Sequence, residues 1–164
     1  MVTDRRSPGG RRRTEAEVRD KLCAAAGKVR TCLETRAVLE TFPAQCCGSA
    51  SRLLGKYLVE VERLSPVAWV TGGQRRRPDG DPDLPQRQSH SWLEHAGFII
   101  DITADQFADG PGPVVVTTDR GWHEQFRGQR RVGREEMLRF NDFLADLYAK
   151  LLERVTGAGK RRLR

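Results

Sequence analysis

Residues 89–103 constrain this chain more than any other stretch. Trp92 and Leu93 on one side, and Phe98, Ile99, Ile100 and Ile102 on the other, flank His95-Ala96-Gly97. Aromatic and β-branched runs around a small, glycine-containing turn read as two antiparallel strands. If Glu94 faces Gly97 across a two-residue turn, His90 lies opposite Asp101, and a slip of two residues leaves them diagonal but within hydrogen-bond reach. A slip of one would throw Asp101 to the other face and set Phe98, Ile100 and Ile102 among the polar positions. The even registers are therefore expected, and each aligns an imidazole with a carboxylate. Trp92 and Glu94 share the His90 face, Trp92 as a wall against the ring and Glu94 as a second carboxylate able to orient it. Thr103 is expected to close a local hydrogen bond at the strand end.

A second junction lies upstream. Phe42-Pro43 stops what precedes it, and Leu53, Leu54, Tyr57, Leu58 and Val61 then recur at helical spacing. Cys47 falls in the first turn of that helix and Cys46 just outside. A helix start favours a thiolate, because its first N–H groups lack partners and its macrodipole is positive there. Cys47 as nucleophile, His90 as base and Asp101 as orienter would make the three parts of a thiol acyl-transfer site. Three other readings stay open: Cys47 as a buried helix-start residue, a vicinal disulfide with Cys46, and Cys46 as the nucleophile. His123, in a later loop, is an alternative base that ranks below His90 because no carboxylate stands beside it at strand spacing.

The blocks Cys47-Gly48-Ser49, His90-Ser91-Trp92 and Ile100-Asp101-Ile102-Thr103, in that order, resemble those of the papain-like and transglutaminase-like cysteine enzymes, in particular small bacterial members. The resemblance spans about residues 42 to 118. It implies an α+β fold in which a central antiparallel sheet packs on the nucleophile helix, with flanking N- and C-terminal helices. It also implies a cysteine-dependent amide hydrolase or acyltransferase (peptidase, deamidase or transglutaminase-like) working through a thioester on a protein, peptide or other amide. For the oxyanion hole the candidates are the Cys47 backbone N–H, Gln45 two residues ahead of it, and Gln106. No cofactor is expected.

At 164 residues and 38% apolar content the chain suits one domain, expected over residues 14–156. The formal charge is +7, but residues 1–13 and 157–164 carry more than all of it, which leaves the body at −1. Basic ends of this kind are expected to be disordered, and nucleic-acid binding as a main function is disfavoured, since no reading module is present and aromatics are 7%. The four cysteines show neither a C-x-x-C pair nor zinc-ligand spacing with the histidines, so no metal is expected. Cys23 and Cys32 read as small core residues. No apolar leader or membrane-length apolar run is visible, so a cytoplasmic protein, or one exported without a classical signal, without membrane insertion, is the expectation. Oligomeric state is left open.

The remaining elements follow from pattern. Thr14 and Glu17 form a capping box that opens a helix through Leu33, which Gly27 would divide or bend. Residues 66–71 read as a strand closed by Gly72-Gly73, and residues 74–88 as a loop beside the site that could act as a lid or touch substrate. Residues 114–117 make a further strand. Met137, Phe140, Phe143, Leu144, Leu147 and Leu151 mark one long amphipathic helix over residues 134–155.

Overall fold

The computed structural model describes residues 13–35, 39–76, 78 and 87–157. Helices α1 (Glu15–Glu34) and α2 (Cys47–Glu60) precede strands β1 (Ala68–Arg76), β2 (Arg87–His95), β3 (Phe98–Asp101), β4 (Val115–Thr117) and β5 (Arg127–Val132). A short helix, α3 (Arg134–Met137), and a longer one, α4 (Asp142–Thr156), end the described chain. The strands form one antiparallel sheet in the order β4-β3-β2-β1-β5, so the fold is α+β with the hairpin near its centre. The expected basic tails, apart from Arg13 and Gly157, lie outside the described residues, as does most of the expected loop.

Each face of the sheet has its own core. On one, Leu93, Phe98, Ile100 and Ile102 pack against α1, α2 and α4 through Leu22, Leu33, Leu53, Leu54 and Leu151. On the other, Val70, Trp92 and Ile99 meet Phe126, with Phe107 and Trp122 packed around them. The alternation in the hairpin sorts these residues: even positions of β3 join the helices, and Ile99 and Asp101 turn to the second face.

Several elements differ from the pattern reading. Helix α1 is unbroken, with the Thr14 and Glu17 capping box present. Gly27 sits inside it where a Cβ would meet nothing, so it costs the helix only its intrinsic penalty, about 1 kcal/mol. Gly72 and Gly73 lie within β1 rather than closing it. A Cβ on Gly72 would come within 2.8 Å of the Phe126 Cβ and backbone carbonyl, so the glycine lets the Phe126 main chain lie against the strand. The C-terminal helix is two helices, because the Asn141 side chain accepts from the Leu144 N–H and starts α4 afresh. Phe143 is consequently turned outward, 60% exposed, instead of joining the stripe. Strand β5, an arginine-rich run with five exposed positions, had no apolar alternation to mark it.

Candidate active site

The hairpin closes through Ala96 and Gly97, both at positive φ, with His95 opposite Phe98 and Leu93 opposite Ile100. This is the even register displaced by two from the directly opposed one. His90 and Asp101 are diagonal, and His90 Nε2 lies 2.6 Å from Asp101 Oδ2. Both are fully buried. The other carboxylate oxygen, Oδ1, accepts from the Thr103 N–H at 2.9 Å and its hydroxyl at 3.3 Å, so Thr103 closes the local bond expected of it.

A fourth donor comes from a residue the sequence had ranked low. His123 Nε2 lies 2.9 Å from the same Oδ2, carried there by a one-turn 3-10 helix, His123–Gln125. The missing carboxylate beside His123 is Asp101 itself, which local strand spacing could not reveal. With every neighbour donating, the Asp101 carboxyl is held well below the usual carboxylate range despite its burial, through the charge of His90 and the bonds from His123, His90 and Thr103. An ionised carboxylate only accepts, so both imidazoles carry their proton on Nε2. That leaves Nδ1 of His90 facing the opposite way.

Cys47 stands near the same imidazole, and each shifts the other. The β2–β3 ladder ends at Leu93–Ile100, so beyond it Ser91 has lost its β3 neighbour. Helix α2 answers Ser91 instead. The Ser51 hydroxyl donates to its carbonyl at 3.0 Å, and its N–H helps favour the thiolate of Cys47, one helical turn before Ser51. This grip brings the half-buried thiol to the residue next to His90. Burial works against the thiolate, but the bond and charge of His90, with the N–H groups of Ser91 and Gly48, outweigh it and lower the Cys47 pKa. The imidazole shifts the other way. Burial opposes its charge, yet Asp101 and Cys47 push it up to about 9. The pair therefore favours thiolate and imidazolium.

Cys46 is a different thiol. It is buried, donates to the Pro43 carbonyl at 3.2 Å, and is pushed up to about 11 by burial and by neighbouring Cys47. All four cysteines are free, so no vicinal disulfide joins Cys46 and Cys47; Cys23, expected in the core, is exposed, and Cys32 is only partly buried.

The supporting residues divide. Gln106 reaches the site: its Nε2 donates to the Thr103 carbonyl at 2.9 Å and lies 3.4 Å from His90 Nδ1. Its Oε1 accepts from the Gln45 backbone N–H at 3.3 Å. Gln45 thus contributes its backbone, held at a left-handed φ of 58°, and its side chain is exposed. The first α2 bond runs from the Ala50 N–H to the Cys46 carbonyl, so the Cys47 N–H has no partner within the helix and stays a candidate oxyanion donor.

Trp92 is fully buried, its ring 5.8 Å from His90 and 4.9 Å from His123. Phe107, Trp122 and Phe126 complete the cage, at 5.1, 5.6 and 5.3 Å from the imidazole. Glu94 does not orient His90. It is bound by Arg120 and Arg131, which with the Trp92 N–H lower its pKa against burial.

His90, His123 and Asp101 also bring ligand atoms within 4.8 Å of one another, a donor set that could suit a cation. However, the 2.6 and 2.9 Å separations are hydrogen bonds occupied by protons. They are tighter than the roughly 3.3 Å edge that ligands about 2.0–2.1 Å from a tetrahedral zinc would span. The set is better matched to proton chemistry.

Comparison with known proteins adds no relative: the chain matches no protein-family model, no curated protein and no solved structure. Among the described residues, no helix is long and apolar enough to cross a membrane.

Proposed function

We propose that this protein is a cysteine-dependent amide hydrolase or acyltransferase, with a core of the papain-like or transglutaminase-like kind. The observation that carries the reading is the buried His90–Asp101 pair, Nε2 to Oδ2 at 2.6 Å, beside a Cys47 thiol whose pKa that imidazole lowers. Cys47 thiolate attacks the acyl carbon, and the C–N bond breaks as His90 imidazolium passes its Nδ1 proton to the departing nitrogen. Neutral His90 then takes a proton from water or from an amine as that nucleophile attacks the thioester, and Cys47 leaves as thiolate. Water gives peptidase or deamidase chemistry, and an amine gives acyl transfer. The Asp101 carboxylate holds the tautomer and stabilises the imidazolium. The Cys47 N–H at the start of α2, with Gln106 beside it, is the donor set for the oxyanion.

Iodoacetamide alkylation followed by peptide mass mapping tests this. Cys47 should react with an acid limb below the ordinary thiol range, Cys46 should lag behind it, and His90→Ala should move the Cys47 limb back up. Cys47 reacting no faster than Cys23 at neutral pH would sink the proposal.

A further inference from the structure

Beside the aromatic cage lies a cavity of about 890 Å³ whose lining includes Arg75, Arg76, Arg87 and Arg127. Its size suits a ligand segment rather than a single ion. Among the described residues that line it, Glu124 is the one carboxylate.

Arg75 shows how the cavity is tied to the site. Strand alternation would send position 75 away from the second face, but a register shift between Gly72 and Arg75, with Gln74 at a φ of 60°, re-aims it inward. Arg75 is 3% exposed, and its guanidinium stacks 5.1 Å from Phe126, 5.2 Å from Trp122 and 5.7 Å from Phe107. Those are the rings that enclose His90, so imidazole and guanidinium share one aromatic layer. Asp109 and Gln125 hold two of its nitrogens, while Nη1 has no hydrogen-bond partner among the described residues. A buried guanidinium N–H without an acceptor is costly, and an incoming carboxylate would satisfy it.

Position along the strands supplies the distance. Gly72 faces His90 across β1 and β2, and Arg75 faces Gln88, two residues further along. At about 3.3 Å per residue, the arginine cluster begins roughly 7 Å along the strands from the His90 backbone. A substrate segment running along β1 and β2 past His90 would present its side chains to it. Arg75 and His90 already pack against these rings, and among the described lining residues no aromatic side chain offers the stacking platform that single-stranded nucleic acid uses.

We propose that this cavity is a substrate subsite for an acidic peptide segment, its Asp or Glu carboxylates paired with the arginines. The inference rests on the amide-acyl reading of the neighbouring site, but its test does not use the thiol. Fluorescence anisotropy on the full chain would compare a labelled ten-residue peptide carrying four glutamates with its glutamine counterpart. The glutamate peptide should bind at least about tenfold tighter at an ionic strength of about 0.1 M. Replacing Arg76, Arg87 and Arg127 by alanine together should abolish that advantage. Replacing exposed Arg19, Lys28 and Lys150 by alanine should preserve it.

Equal losses in both triple variants would mean general charge attraction and would overturn the subsite. Glutamate and glutamine peptides binding alike, as follows if carboxylates of this chain already satisfy the arginines, would overturn it too. Tighter binding of a single-stranded RNA with the same variant sensitivity would reassign the cavity. Failure of Cys47 alkylation leaves the anisotropy result readable, and the converse also holds.

Discussion

Asp101 is a single buried acid that answers four donors, two from imidazoles and two from Thr103. Removing its charge while keeping its shape separates electrostatics from packing. Asp101→Asn should cost about 10²- to 10⁴-fold in acyl-transfer rate, because an amide no longer enforces the His90 tautomer. The same change should raise the acid limb of Cys47 alkylation, since His90 loses the partner that keeps it charged. Stability gives a second readout whose sign follows from the shifts. Asp101 has a folded pKa below its ordinary 3.8, so its contribution is full above about pH 4 and is lost as pH falls through the folded value. His90, raised from 6.5 to about 9, contributes fully below about pH 6.5 and loses that contribution as pH rises through about 9. Thermal midpoints of the native protein should therefore fall on both sides of a plateau between about pH 4 and 6.5, and Asp101→Asn should flatten both limbs.

At the scale of elements, the decisive contact is α2 against the open end of β2. A helix start alone makes a thiol more acidic, but the imidazole partner requires the helix to dock where the β2–β3 ladder has ended. Cys47 and Ser51, four residues apart, lie on one face of α2; the Ser51 hydroxyl holds the Ser91 carbonyl, and the Ser91 N–H favours the Cys47 thiolate. Ser51→Ala removes one of these grips and leaves a buried carbonyl without its donor. About 1–2 kcal/mol of stability should be lost, measurable by denaturant titration. Cys47 alkylation should slow severalfold at the same pH. Unchanged alkylation in the destabilised variant would mean that Ser91 does not set the position of the thiol. The 3-10 turn at residues 123–125 plays the corresponding part for His123, and β5 holds that turn to the sheet through Gly73 and Arg127.

Across the whole molecule, the face bearing α1 is joined to the site by Arg30. Its guanidinium is buried and donates to the Ile102 carbonyl at 2.7 Å, the Pro113 carbonyl at 2.8 Å and both Asp105 oxygens at 2.7 and 2.8 Å. Two of those groups, Ile102 and Asp105, lie between Asp101 and Gln106, so a residue of the first helix clamps the segment that carries both. Arg30→Ala should cost about 2–3 kcal/mol, discounted for the partial exposure of Asp105, and lower the thermal midpoint by roughly 4–12 °C. Arg30→Lys should recover only part of this, because an ammonium cannot present the same planar fan of donors.

Much of the site was legible along the chain because its signals are local. A capping box, a thiol at the start of an amphipathic run, and the two-residue alternation that puts His90 and Asp101 on one face depend on neighbours within a few positions. The hairpin needed only parity, which survives a shift of two residues. What lay beyond reach depended on distant segments meeting: His123 with Asp101, Ser91 with α2, Arg75 with the back of the His90 cage, and a charged β5 closing an edge without an apolar pattern. The α3–α4 break was readable at Asn141, where a capping residue interrupts the apolar stripe. Local periodicity specifies which face a side chain takes, whereas its partner across the fold is chosen only when loops and sheet edges close, because burial and hydrogen-bond satisfaction are then decided by the whole assembly at once.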